Sequence, residues 1–190
     1  MHEQTSVVSA WVRRFAPIIR QGGAVLDLAS GSGRHSRLLA ASGYSVEAVD
    51  RDAEALTHLR AVAGISVRVA DLEHGHWPYA GRRFDGIVVT NYLHRSLLPL
   101  IEGALVEGGV LIYETFMIGN ERLGRPSNPD YLLRPQELLE VAAAGGLRVV
   151  AYEEGEVAFP KPAVIQRVCA IRDDKQDSCP VLPHPDCIGP

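Results

Sequence analysis

Cysteine is almost absent from the body of this 190-residue sequence, since Cys169, Cys179 and Cys187 all fall in its last 22 positions. No disulfide framework can therefore tie the chain together, which fits a reducing compartment. Long apolar runs are missing too. None reaches the ~20 residues that span a bilayer, and the opening "MHEQTSVVSAWVRR" has no apolar core of the signal-peptide type, so no membrane partner and a cytoplasmic location are expected. Positive charge is not in excess: 19 Lys and Arg face 23 Asp and Glu, a formal net charge of −4. That balance argues against broad phosphate-tracking contact, so nucleic acid is not an expected partner. The tail "CPVLPHPDC" offers two cysteines and His184, short of four ligands at a recognised spacing, and no metal site is expected. No internal repeat is visible, and nothing in the sequence defines an oligomeric state.

What remains is ordinary globular composition, 46% apolar and 22% charged, at a length that suits one domain. Apolar runs of strand type recur as "AVLDLA", "SVEAVD", "SVRVADL", "FDGIVVTNYL", "GGVLIYETF", "LRVVAYE" and "AVIQRVCAI". The central ones are continuous rather than alternating, as in strands covered on both faces. Helical patterns fall between them at Arg34–Ser42, Ala53–Ala63, Arg95–Val106 and Pro135–Ala144. The alternation predicts an α/β fold, a doubly wound, seven-stranded, mostly parallel sheet. "EHGHWPYAGRR" has room only for a loop or short helix, and "MIGNERLGRPSNPDYLL" is long for a plain connection, which points to a functional loop. Residues 1–172 are expected to form the domain, and the polar, proline-rich 173–190 a disordered tail.

The stretch "AVLDLASGSGRHSRLLAASGYSVEAVDRD" carries the chemistry. In an open parallel sheet, ligands bind beyond the C-terminal strand ends, and Gly31 and Gly33 allow a tight turn there with close backbone approach. A dinucleotide fingerprint would place a third glycine where Ser36 stands, so a nicotinamide-dependent oxidoreductase is disfavoured. Asp27, near the end of the first strand, would repel a pyrophosphate and attract an ammonium group. Asp50 closes the second strand and can accept from both hydroxyls of a ribose. Asp71, in "VADLE", can accept from an exocyclic adenine amine. An amine, a ribose and an adenine without phosphate describe S-adenosylmethionine. The plain alternatives are helix capping or solvated strand ends for Asp50 and Asp71.

Through "VLDLASGSG", "VEAVD", "ADLE" and "FDGIVVTNYL", in that order, residues 24 to 172 resemble the class I S-adenosylmethionine-dependent methyltransferases. The resemblance implies a Rossmann-like methyltransferase fold whose last strand is antiparallel. It implies that Asp27, Gly31 and Gly33 border the methionine part of the cofactor, Asp50 the ribose, and Asp71 with Leu72 the adenine. Ala29, Arg51 and Thr90 flank these positions and join the cofactor set, as does Trp11, whose alternative is core packing. Ala29 and Ser30 stand where a further glycine or a cysteine is frequent in the family. The run "YETFMIGNERLGRPSNPDYLLRPQEL" is similar to small bacterial methyltransferases of the tellurite-resistance type.

Methyl transfer from a sulfonium mainly requires alignment of the acceptor, with a general base only for acceptors that arrive protonated. The loop "TNYLHRS" ends the fourth strand beside the first. His94 is its candidate base or positioning group, with a solvent-facing helix start as the alternative. Asn91 and Tyr92 are candidates to hold the substrate or shape the pocket. No "NPPY" or "DPPY" motif accompanies them, which counts against amino-group methylation of DNA bases or protein glutamine. Tyr113, Glu114, Arg125 and Asn128 are candidate acceptor contacts, Arg125 alternatively pairing with Glu121 or Asp130. His35 lies next to the glycines in sequence, with an exposed helix start as its plain reading. A small-molecule acceptor is expected, the alternatives being RNA or protein methylation, or a catalytically silent module that binds S-adenosylmethionine or S-adenosylhomocysteine.

Overall fold

The computed structural model describes residues 7–172 and residue 182. The expectation for the 173–190 tail, with Cys179, His184 and Cys187, thus lies outside the described residues, Leu182 apart. Seven strands, β1 (Ala24–Leu28), β2 (Ser45–Asp50), β3 (Ile65–Val69), β4 (Phe84–Thr90), β5 (Leu105–Phe116), β6 (Leu147–Val157) and β7 (Ala163–Arg172), form one sheet in the order β3-β2-β1-β4-β5-β7-β6. The pairs from β3 through β5 are parallel, and β7 runs antiparallel to both β5 and β6. The strand order reverses between β1 and β4, and the crevice of an open α/β sheet opens at such a point.

Five helices cover the sheet: α1 (Ala10–Phe15), α2 (Arg34–Ala41), α3 (Ala53–Thr57), α4 (Leu98–Gly103) and α5 (Glu137–Ala144). The continuous apolar runs are explained by burial on both faces. Leu26, Leu28, Ile87, Val89 and Leu111 pack with Leu98, Ile101, Leu138 and Ala142 from α4 and α5. Val25, Val88, Val110 and Ile112 pack with Trp11, Val12, Phe15 and Leu39 from α1 and α2. Ile87 and Val88 are fully buried on opposite faces, each worth about 1.5–3 kcal/mol of removed apolar surface.

Element ends depart from the sequence pattern where tertiary contacts intervene. The helix expected to Ala63 stops at Thr57, and turns then deliver the buried Leu59 beside the β1–α2 loop. The helix expected over 95–106 begins as a 3-10 turn at Arg95–Leu97, and it ends early because Ala104 already accepts from Phe84 N–H. The third strand ends at Val69 rather than Leu72, and the fourth at Thr90 rather than Leu93, where Asn91 takes a left-handed φ of 55°. The 73–83 crossover is a loop, as expected.

The long 117–133 connection is well pinned. It holds two 3-10 turns, Asn120–Arg122 and Pro129–Tyr131. The buried Asn120 side chain donates to Pro126 O and accepts from Val164 N–H. Ile118 and Leu133 bond backbone to backbone with Leu133 and Phe116 respectively.

Candidate functional site

The loop after β1 is built from left-handed residues: Ala29 at φ 54°, Gly31 at 55° and Gly33 at 77°. Such a backbone suits glycine and costs other residues about 1–2 kcal/mol, so Ala29 holds its conformation against a local preference. Gly33 is required twice over, because a Cβ there would lie 2.3 Å from Leu59 Cδ1. Gly31 N–H donates to Asp50 Oδ2 at 2.8 Å, while Asp50 Oδ1 accepts from Asp52 N–H. Ser30 Oγ is buried in this loop with no partner among the described residues.

The three acids lie at successive strand ends in distinct environments. Asp27 is 1% exposed and accepts from Ser36 Oγ at 2.5 Å. Burial pushes its carboxyl up to about 6, against the opposing pull of Ser36 and Arg34. Asp50 is half-buried at the last position of β2. Asp71 lies two residues beyond β3, exposed, and accepts from the N–H groups of Glu73 and His74, which hold it below the usual carboxylate range. The plain alternative is met only in part: α3 is capped by Asp52 rather than Asp50, and Asp71 holds a turn rather than a helix start. Each carboxylate still has lone pairs to offer. Leu72 is buried beside this turn and Arg51 is exposed beyond β2.

Tyr92 brings the β4 loop into the same place. Its hydroxyl is buried without a partner among the described residues, and it is held above the ordinary phenol range by burial first and then by the charges of Glu73 and Asp71. Asn91 is exposed, with its N–H bonded to Glu114 O. His94 is half-buried at the start of the 95–97 turn. Next to it, Arg95 reaches the Glu137 carboxylate at 2.7 and 3.0 Å and the carbonyls of Asp130 and Leu132 at 2.8 Å. One guanidinium thereby ties the loop carrying His94 to the end of the 117–133 segment. Sequence reasoning passed over Arg95, because its partners are 35 to 42 residues away.

The α1–α2 face of the sheet carries a polar layer at its C-terminal edge. Glu114 on β5 faces Arg167 on β7 at 3.2 Å, and Arg167 also pairs with Glu153 at 2.5 Å. Arg34 at the start of α2 acts electrostatically on both Asp27 and Glu114. His35, far from exposed, is 1% accessible and lies between α1 and the end of β4. Burial, then Arg34, lower it to about 3, so the ring is neutral.

Several sequence expectations change here. Tyr113 is not presented to an acceptor: it is 1% exposed and its hydroxyl donates to Tyr92 O at 2.8 Å, supporting the loop from beneath. Trp11 is no cover for a crevice. It is 2% exposed in the core, against Phe15 and under the Arg167 guanidinium. Asn128 caps the 129–131 turn through Asp130 N–H. Arg125 is exposed and, among the described residues, pairs with neither Glu121 nor Asp130. Among the described residues no group of acids, histidines and cysteines could hold a metal, and no helix is long and apolar enough to cross a membrane.

The family described as "Methyltransferase domain" matches residues 25–107, which hold the glycine loop, the three acids and the β4 loop. TehB from Haemophilus influenzae has a similar structure, with a TM-score of 0.74 at 21% identity over 89% of this chain; the chain spans 64% of that protein's length. A TehB-like S-adenosylmethionine-dependent methyltransferase from Corynebacterium glutamicum superposes with a TM-score of 0.64 at 20% identity, over 88% of this chain and 89% of the other. A 1,6-didemethyltoxoflavin-N1-methyltransferase from Burkholderia thailandensis, solved with its substrate and S-adenosylhomocysteine, gives 0.67 at 19% identity, over 90% and 80%. No curated protein matches this chain in sequence. Residues 25–107 thus match a methyltransferase domain, and the described residues share their fold with these structures.

Proposed function

We propose that this chain is a methyltransferase that takes its methyl group from S-adenosylmethionine and delivers it to a small-molecule acceptor over the C-terminal ends of β1, β4 and β5. The carrying observation is that Asp27, Asp50 and Asp71 lie at or near the C-terminal ends of the adjacent strands β1, β2 and β3, next to a left-handed loop whose Gly31 N–H is held by Asp50. The residues suit such a ligand. Ser30 Oγ and Tyr92 Oη are buried polar atoms without partners among the described residues, and buried polar groups normally find one. No ion pair to Asp27 stands among those of the described residues, and an ammonium group would supply one; Asp50 would hold the ribose, and Asp71 with Leu72 the adenine. Bound there, the cofactor supplies a sulfonium methyl group that needs no metal.

The chain's own residues then have to hold the acceptor in line, an effect worth about 7–11 kcal/mol when geometry is near attack. His94 and Asn91 border the β4 loop, and His94 would take a proton from an acceptor that arrives with one. Glu114, held by Arg167, offers a second carboxylate at the end of β5, and Arg125 an uncommitted cation on the rim. The Burkholderia relative, named for a small heterocyclic substrate, supports the small-molecule reading.

Incubating the enzyme with isotope-labelled S-adenosylmethionine and a metabolite extract tests this by mass spectrometry, the expected result being one labelled small product. Label in RNA or protein would replace the acceptor class. Tight S-adenosylhomocysteine binding with no acceptor consumed would identify a silent module, and binding of NADH in place of S-adenosylmethionine would overturn the reading.

A further inference from the structure

The buried His35 has a single allowed tautomer, and that tautomer has a consequence at the crevice. Two obligate donors converge on its Nε2: Ser9 N–H at 3.1 Å and Arg34 Nε–H at 3.3 Å. Neither can accept, so Nε2 bears the lone pair. The ring is neutral, and its proton must therefore sit on Nδ1. Nδ1 lies 3.3 Å from Thr90 Oγ1, the last residue of β4. Thr90 is thus the acceptor of that bond. Its own hydrogen meets no protein acceptor among the described residues, although the side chain is only 8% exposed. A buried hydroxyl that already accepts gains by donating outward, since hydrogen bonds in series polarise one another.

Thr90 lies on the same sheet face as Asp27. Asp27 is registered with Val88, two residues before Thr90, and in a parallel pair both point to one side. A ligand whose ammonium group meets Asp27 presents the carboxylate of the same amino-acid end beside it.

We propose that His35 is a positioning residue that acts through Thr90, with the chain Ser9 N–H to His35 to Thr90 aiming the Thr90 hydroxyl hydrogen at the carboxylate of the bound cofactor. The inference rests on the S-adenosylmethionine reading of the site. It assigns His35 the task of making Thr90 a donor, and it ties the start of α1, which Ser9 caps, to the end of β4.

Two measurements test it. In nitrogen-15 spectra of the ligand-free protein, His35 should show the Nδ1–H tautomer unchanged from about pH 5 to 8; an Nε2–H tautomer or protonation in that window would overturn it. In calorimetry, Thr90→Val should weaken S-adenosylhomocysteine about tenfold, as expected for a lost hydrogen bond to a charged group, while leaving 5′-methylthioadenosine, which lacks the amino-acid end, unchanged. Thr90→Ser should bind as the parent does. His35→Asn, which places an amide donor near Nδ1, should bind more tightly than His35→Leu. Equal weakening of both probes by Thr90→Val, or no weakening, sinks the proposal even if the His35 variants do not fold. Were the parent protein to bind neither probe, the cofactor reading and the carboxylate contact would fall together, and the tautomer would still decide the His35–Thr90 bond.

Discussion

The Asp50 carboxylate accepts the Gly31 N–H at 2.8 Å, so the acid that ends β2 and the turn that follows β1 are one structural unit. Asp50→Ala should therefore weaken S-adenosylhomocysteine by at least about 1 kcal/mol, roughly fivefold, through the lost ligand bonds and the freed loop together. Asp50→Asn should lose less, because its amide oxygen can still receive Gly31. Calorimetry on the three proteins checks the order; an Ala variant that binds like the parent would remove Asp50 from the site.

Asp27 makes binding depend on pH. Its folded carboxyl is raised to about 6, above its ordinary value of 3.8, by burial, with Ser36 and Arg34 opposing and Asp50 reinforcing. For a raised carboxyl, the stability it contributes is present below the unfolded value and is lost as pH rises through about 6. The ligand-free protein should lose this contribution between about pH 4 and 6, with Asp27→Asn abolishing that component of the stability profile. An ammonium ligand selects the ionised form, so S-adenosylhomocysteine affinity should climb as pH rises toward 6 and flatten above it. A flat affinity profile from pH 5 to 8 would show that Asp27 does not meet the ammonium group.

Gly33→Ala should destabilise the fold by at least about 2 kcal/mol, adding a left-handed alanine to an overpacked contact with Leu59. Shortening the neighbour should recover part of the loss, so the Gly33→Ala/Leu59→Ala double variant should be less unstable than the sum of the two single changes. Thermal unfolding of the four proteins measures it, and strict additivity would place the strain in the backbone alone.

His94→Ala should reduce turnover of the identified acceptor by about 10²-fold or more if His94 acts as a base, and S-adenosylhomocysteine affinity should hold. The reverse pattern, with weakened cofactor binding and intact turnover, would move His94 out of the acceptor site.

The sheet was legible because its central strands, β1, β4 and β5, read as continuous apolar runs that need cover on both faces. The three acids and two glycines were legible because they lie in short stretches whose strand context the apolar pattern marks. Helix ends were not: α5 starts at Glu137, where Gln136 turns left-handed and the buried Gln166 side chain accepts from Leu138 N–H, 28 residues away. His35 read as an exposed helix start because its partners, Ser9 and Thr90, lie 26 and 55 residues off in sequence. Tyr113 and Trp11 show the opposite error. An aromatic at a strand end or before the first strand reads equally well as ligand contact or core, and only burial distinguishes the two.

The anchoring of the 117–133 segment bears on how this fold can diversify. Asn120 fastens the segment to β7, and Arg95 fastens its far end to the start of α4, while Leu123, Gly124 and Arg125 stand exposed between them. Framework and tip are thus separable: Asn120 and Arg95 hold the two ends, while Leu123 and Arg125 make no side-chain hydrogen bond or ion pair among the described residues. Exchange at Leu123 to Arg125 can alter the rim while the crevice below stays intact, so that stretch is where laboratory evolution of the proposed acceptor range should begin.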